Sequence, residues 1–245
     1  PAMSTRPFGG RSPGGEAPRL LTGNGRYLDD LGLGALTAAF VRSPHAHARI
    51  VDIDIDDAWE VDGVEAIYTW EDLTGRVAEP LPVLIPHPAL THPRTGYCLA
   101  KDEVNHVGEA IVMVIARDRY LAEDAAQRIR VTYDSLPVVV GVESARAAQT
   151  LVHDDAPGNI AAHLLQEVGD VTAAMAAAPN TLTLDLEIER SACMPMEGKG
   201  VFARWDADEQ SLRIYSSTQT SPGVRAAVAA KLGMPLAKVE CIAPD

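Results

Sequence analysis

The sequence predicts an α+β protein, and three observations carry that prediction. Apolar residues alternate with polar ones over several short segments, most cleanly at 181–189 (TLTLDLEIE), where Leu182, Leu184, Leu186 and Ile188 share one face of a strand. The unbroken apolar run EAIVMVIA at 109–116 reads as a strand buried on both faces. Helices return between strands with clear start signals: Asp118 ahead of a stripe of Leu121, Ala125 and Ile129, and Ser221 ahead of Pro222. A β-rich unit interrupted by such helices is α+β.

Composition narrows the class further. The 245 residues, 47% hydrophobic and 22% charged, allow one large or two modest domains with real cores. A net charge of -13 opposes binding to phosphate backbones and leaves no basic patch for a membrane surface, so nucleic acid is not an expected partner. No apolar run is long enough to span a bilayer and no leader pattern opens the chain, so the expected location is cytoplasmic. Pro1, Ala2 and Met3 read as an added remnant before a native start at or near Met3. Cys98, Cys193 and Cys241 form neither a disulfide framework nor a CxxC motif, so any iron–sulfur centre belongs to another chain. Cys193, beside Met194 and Met196, is expected to be a buried small apolar residue rather than a reactive thiol.

Taken in order, residues 4–18 (STRPFGGRSPGGEAP) lack periodicity and read as an extended arm. The turn-rich LLTGNGRYLDD at 20–30 carries Gly23 and Gly25 without the continuation a phosphate loop needs. Residues 35–42 and 49–55 are expected strands, the second alternating Ile50, Asp52 and Asp54 against Val51, Ile53 and Ile55. Between them His45 and His47 stand two apart, a spacing that can serve a metal; no further ligand is signposted, and the pair reads as a polar connection. A helical turn at 57–62 and a strand at 64–69 follow. Residues 76–96, with Pro80, Pro82, Pro86, Pro88, Pro93, His87 and His92, form a long irregular loop of the kind that is functional or covers a partner. After the buried strand and the Asp118 helix, 130–133 and 136–140 read as a strand pair. Residues 143–148 read as a short helix and 150–180 as a linker, with a helix begun by Asp170. The 181–189 strand opens a second sheet, continued by 200–205 and 212–217 and closed by a strand at 238–242.

The most suggestive stretch lies where the 212–217 strand meets the Ser221 helix. Thr218, Gln219 and Thr220 sit at that junction, with backbone N–H groups and a side-chain amide available to an anion or an oxo group. The bland alternative for Gln219 is a strand-end amide in water.

RYLDD (26–30), RSPHAHARI (42–50), GEAIVMVIARDRYLAEDAAQRIRVTYDSLPVVV (108–140), PMEGKGVFARWD (195–206) and STQT followed by a helix and VECIAPD resemble, in this order, the large subunit of molybdenum hydroxylases. That family includes xanthine dehydrogenase, aldehyde oxidoreductase and aerobic carbon monoxide dehydrogenase. The resemblance covers nearly the whole chain after residue 18. It implies an α/β hammerhead domain at 20–140 and the first part of a molybdopterin-binding α+β domain at 181–245, which with the arm and the linker read above gives an extended arm at 1–19 and a linker at 141–180.

It also implies hydroxylation of a small organic substrate of the aldehyde or N-heterocycle class at an electron-poor carbon, with oxygen from water. The implied cofactor is molybdopterin cytosine dinucleotide with molybdenum, shared with a polypeptide carrying the rest of the binding region. Iron–sulfur clusters and FAD lie on partner subunits. Gln219 matches the family glutamine whose amide lies beside a molybdenum oxo or hydroxo ligand, so it is the candidate catalytic and cofactor-binding residue; no residue is assigned as a metal ligand. Glu197 is expected to be a hydrogen-bonding carboxylate rather than a catalyst. In the family, Pro-Asp at such a strand end runs into a Gly-Gly-Gly-Phe-Gly loop, and the general-base glutamate lies further on; the sequence given stops at Asp245, so this chain alone is expected to be inactive. Where many relatives carry a histidine before Pro-Met-Glu, this sequence has Ser191-Ala192-Cys193-Met194, which leaves the substrate open. Two readings from other classes stand beside this one: a hammerhead interaction module without catalytic activity, and a small-molecule-binding protein using the loop around His87 and His92.

Overall fold

The computed structural model describes residues 16–83, 85–188 and 192–245; most of the expected arm, and Ser191, lie outside them. Along the chain come helix α1 (Ala17–Leu21), strands β1 (Thr37–Arg42) and β2 (Ala48–Asp54), and the single-turn helix α2 (Asp56–Trp59). Strands β3 (Val64–Tyr68), β4 (Glu103–Val104) and β5 (Ala110–Ala116), helix α3 (Arg119–Arg128) and strand β6 (Arg130–Ser135) follow. Helices α4 (Val142–Ala147) and α5 (Val171–Ala177) lead to strands β7 (Val201–Asp206) and β8 (Ser211–Ser216), helix α6 (Ser221–Leu232) and strand β9 (Val239–Ile242). Contacts divide the chain into two units. One gathers residues 35–192 with 231–233; the other gathers residues up to 34 with 193–230 and 234–245.

The first unit holds two antiparallel three-stranded sheets, ordered β1-β5-β3 and β4-β2-β6. β5 is central to its sheet, and its apolar run is explained by that position: Ile111, Val112, Val114 and Ala116 are fully buried. The Asp118 carboxylate caps α3 by accepting from the Leu121 N–H at 3.0 Å, and Ala122 and Ala125 are buried in turn. Ala is small enough at both positions to let α3 sit close to β1 and β5.

Two expectations for this unit are corrected. The alternation expected in β2 is broken by a register shift between Ile50 and Asp52, so Val51 is exposed while Ile50, Ile53 and Ile55 all pack on the core. The second member of the expected strand pair, 136–140, is not a strand: pairing runs on only to the Leu136 N–H, which donates to the His47 carbonyl at 3.0 Å. Pro137 then has no N–H with which to continue the ladder.

The proline-rich loop is irregular, as expected, and held by its own backbone. Leu81 N–H donates to the Gly96 carbonyl at 2.8 Å, and Ala89 to Thr91 bond to residues 161–163 through Thr91 N–H to Ala161 and His163 N–H to Ala89. The largest correction falls just beyond. Residues 181–188 form no strand, because no other described segment pairs with them, and every residue from 160 to 188 is exposed. Helix α5 does form, capped by the Asp170 carboxylate on the Ala173 N–H at 2.8 Å, but buries nothing.

The second unit is a hairpin followed by a crossover. β7 and β8 pair antiparallel around a turn in which Asp206 Oδ1 accepts from the N–H groups of Asp208 and Glu209. α6 then carries the chain back so that β9 pairs parallel with β8. Ile214, Ala229 and Val239 close the small core beneath. Val224 N–H bonds to the Thr220 carbonyl at 3.0 Å, so the helix starts one residue earlier than the expected Ser221 cap. It ends with Gly233 at φ +67°, which frees Met234 N–H to reach the Ala229 carbonyl.

Candidate functional site

The junction that carries Gln219 is built by three short segments around β8. The Ser217 hydroxyl accepts from the Gly200 N–H at 2.8 Å, and the Ser217 N–H donates back to the Gly200 carbonyl at 3.2 Å. That exchange fixes the end of the PMEGKG segment beside the start of the junction. Thr218 N–H then turns back to the Ser216 carbonyl at 2.9 Å, and the Thr218 hydroxyl accepts from Thr220 N–H at 3.1 Å. Gln219 is the residue spanned by this local turn. It is exposed, and its amide makes no hydrogen bond among the described residues.

Neighbouring segments in the same unit are joined by bonds that spacing in the sequence does not announce. Glu197 Oε1 accepts from the Leu28 N–H at 3.1 Å, so this carboxylate holds the RYLDD segment against PMEGKG. RYLDD is itself a short 3-10 turn, Leu28–Leu31, in which the Asp30 carboxylate accepts from Tyr27 N–H at 2.9 Å. Asp245 Oδ2 accepts from Arg26 N–H at 2.6 Å, the Asp245 N–H donates to the Arg26 carbonyl, and the Arg19 guanidinium grips the same carboxylate with two nitrogens. The Arg19 bonds, then the Arg26 N–H, hold the Asp245 carboxyl down at a pKa of about 2. Arg225 on α6 donates to the carbonyls of Val239 and Leu236, fixing the helix to the strand that ends near Asp245.

The other candidates are placed differently. His45 lies against Tyr133 with ring centroids 4.5 Å apart, while His47 bonds the Pro137 carbonyl through Nδ1 at 2.7 Å and Glu103 through Nε2 at 2.9 Å. The two rings have separate structural partners. Partial burial opposes charge on His47, but the Pro137 and Glu103 acceptors outweigh it and raise its pKa above 6.5. Asn105, oriented to donate to Glu103, His153 and the Val152 carbonyl, ties residues 152–153 to the same cluster. His87 accepts from Ala89 N–H and His92 bonds the Ile160 carbonyl, so both serve to shape the loop. Cys193 is exposed, not buried as expected, and Met194 and Met196 are exposed beside it. Among the described residues no group of three or more His, Cys, Asp or Glu side chains is placed to hold a metal ion, and no helix is long and apolar enough to cross a membrane.

Comparison with known proteins gives this geometry its context. Residues 22–137 match the family model for the aldehyde oxidase and xanthine dehydrogenase a/b hammerhead domain, and residues 152–245 match that for the molybdopterin cofactor-binding domain. The chain is 34% identical to the nicotine 6-hydroxylase large subunit of Paenarthrobacter nicotinovorans, with all of this chain and 30% of that protein aligned. It is 32% identical to the carbon monoxide dehydrogenase large chain of Hydrogenophaga pseudoflava, over 94% of this chain and 30% of that one. The structure of quinoline 2-oxidoreductase from Pseudomonas putida 86 superposes with a TM-score of 0.82 at 34% identity, covering 94% of this chain and 29% of its own. The chain thus spans about 30% of the length of the curated relatives it matches. Its two matched regions, in this order, are a hammerhead and a molybdopterin cofactor-binding segment, and the chain belongs to the aldehyde oxidase and xanthine dehydrogenase family of molybdenum hydroxylase large subunits.

Proposed function

We propose that this chain is the N-terminal part of a molybdenum-dependent hydroxylase that oxidises a small aldehyde or N-heterocycle with oxygen from water. The observation that carries the reading is the Gln219 amide: exposed, unbonded, and held by the Thr218–Thr220 turn inside the region matched by the molybdopterin cofactor-binding model. A neutral amide offers both a donor and an acceptor, which suits a polar group bound to molybdenum without adding charge to the site. The residues present therefore fit one face of such a cofactor. When bound, the cofactor would supply the two-electron oxidation and Gln219 would orient what lies next to it, while Ser217 joins the junction to the Gly200 segment, and Glu197 and Asp245 join other segments of the same unit. The proposed cofactor is the cytosine dinucleotide form, with iron–sulfur clusters and FAD on partner subunits and the assembly in the cytoplasm. Intact mass and elemental analysis of the complex purified with this chain test the reading. Stoichiometric molybdenum in the purified protein is the expected result; a metal-free protein from molybdate-supplied cells overturns it.

A further inference from the structure

Four polar side chains of the first unit form a linked cluster that the proposed chemistry does not use. They are His47 ahead of β2, Glu103 in β4, Asn105 just after it, and His153 in the segment beyond α4. β4 pairs with β2 at Ala48–Val104 and Arg49–Glu103, so Glu103 and Asn105 stand on a fixed edge. His47 presents both ring nitrogens to acceptors, Nδ1 to the Pro137 carbonyl at 2.7 Å and Nε2 to Glu103 Oε1 at 2.9 Å. A neutral imidazole carries one N–H, so only the imidazolium donates to both the carbonyl and the carboxylate. His153 is the opposite case. Its Nδ1 lies 3.2 Å from the Asn105 amide nitrogen, which can only donate, so this ring accepts and is neutral, with its proton on Nε2. The same Asn105 nitrogen reaches Glu103 Oε1 at 3.2 Å and the Val152 carbonyl at 3.0 Å.

The hydrogen bonds of the cluster are thus all made in one protonation state. We infer that His47, Glu103, Asn105 and His153 form a pH-sensitive clasp that fastens the 150–159 segment to the β4 edge, closed while His47 is charged and His153 is neutral. Acid opens it through His153, whose protonated Nδ1 can no longer accept from Asn105. Base opens it through His47, which must give up one of its two bonds. The surrounding groups separate the two rings. Burial lowers the His153 pKa below 6.5 and the Arg94 charge lowers it further, against Asp155, Glu103 and Glu109. Burial also opposes charge on His47, but the Pro137 carbonyl, Glu103 and Asp154 outweigh it and raise its pKa above 6.5. Lys101, Asp102 and His106 line the same cavity as His153. The signs follow: the His47 contribution is complete below about 6.5 and is lost as pH rises through its folded value, while the His153 contribution is complete above about 6.5 and is lost as pH falls through its own. The clasp is tightest between the two folded values. Within the segment, the Asn159 side chain accepts from Val152 N–H at 2.9 Å and donates to the carbonyls of Thr150 at 2.8 Å and Ala145 at 3.1 Å. What the clasp holds is therefore a pre-tied loop, and it opens the region matched by the molybdopterin cofactor-binding model.

The test is an NMR titration of the 245-residue chain labelled with 15N-histidine and 15N-asparagine, with backbone exchange at Val152 and Ala156 corrected for intrinsic rate. Near pH 6.5 both His47 nitrogens should carry protons and His153 Nδ1 should be bare, with the two ring midpoints on opposite sides of 6.5. Protection of the Val152 and Ala156 amides should peak between those midpoints and fall about tenfold for each pH unit beyond either one. His47→Gln should remove the alkaline fall and keep the acid fall, and His153→Gln should do the reverse. Protection that is flat across both midpoints, as a merely structural cluster would give, overturns the proposal. So do ring midpoints on the same side of 6.5, a His47 ring with one proton at pH 6.5, or variants that leave both falls in place. The titration of the unaltered chain decides the matter even where a variant does not fold.

Discussion

Replacing Ile111 by Val and Leu184 by Ala sets two parts of the structure against each other. Ile111 is fully buried in β5, among Val112, Val114 and the α3 alanines. Removing one carbon there costs about 1 kcal/mol, the transfer term plus a small cavity. For a domain of roughly 100 residues that lowers the unfolding temperature by about 4 °C. Leu184→Ala removes three carbons, and at a buried site it would cost about 3 kcal/mol. Leu184 is 67% exposed and touches no core, so the cost in the lone chain should stay within about 0.5 kcal/mol, or a shift of about 2 °C. The larger deletion should therefore be the milder one. Thermal unfolding of the full chain, followed by far-UV circular dichroism at pH 7, gives the comparison directly. A Leu184→Ala shift larger than that of Ile111→Val would mean instead that 181–188 is packed within this chain.

The remaining predictions concern charge and capping. His47 has a raised pKa, so its stabilising contribution is complete below about 6.5, the ordinary imidazole value, and is lost as pH rises through the higher folded value. His47→Gln should flatten the dependence of unfolding temperature on pH across that window, and an unchanged profile would remove the ring from the account. Asp245 has a depressed pKa, so its contribution is present above the ordinary value of 3.8 and is lost as pH falls toward about 2. An NMR titration of the Asp245 carboxyl should show the low midpoint, and Arg19→Ala should move it up; a midpoint near 3.8 in the unaltered chain contradicts the Arg19 and Arg26 bonds. Asp118→Ala removes the α3 cap and should cost about 1 kcal/mol in urea unfolding, whereas Asp118→Asn should cost much less. Equal losses would mean that the side chain does not cap the helix.

The sequence made most local structure legible because each signal there has a local cause. The β5 run and the Asp118 and Asp170 caps depend on residues within a few positions of one another. The errors fall where a neighbour far along the chain decides the outcome. Val51 keeps the alternating pattern, yet the partner strand shifts register beside it, so a bulge turns it outward. The 136–140 segment has apolar residues in plenty, but Pro137 withholds the N–H that pairing requires. The 181–188 segment has the cleanest pattern in the chain and no strand, because period 2 describes a face and not the partner that makes the ladder.

The candidate site was legible in a similar measure. The strand-to-helix junction around Gln219 followed from the Ser-Pro helix start and the preceding alternation, and the structure places that junction between β8 and α6. The long-range bonds of the same unit were not visible: the Ser217 exchange with Gly200, the Glu197 bond to Leu28 and the Arg19 grip on Asp245 join positions from 17 to more than 200 residues apart. No spacing rule links such positions, and only the folded unit brings them together. The exposed Cys193 was misread for a related reason, since a residue type's average burial says nothing about a segment that lacks a cover.

Under the proposed function the Gln219 junction is one wall of a molybdenum site. The most direct test is turnover of the assembled enzyme carrying Gln219→Ala, with molybdenum and pterin content measured on the same sample. The expected result is turnover lowered by about 100-fold, the scale of losing one oriented hydrogen-bonding group at a reacting centre, with cofactor content nearly unchanged. Full turnover with full cofactor content would contradict the claim.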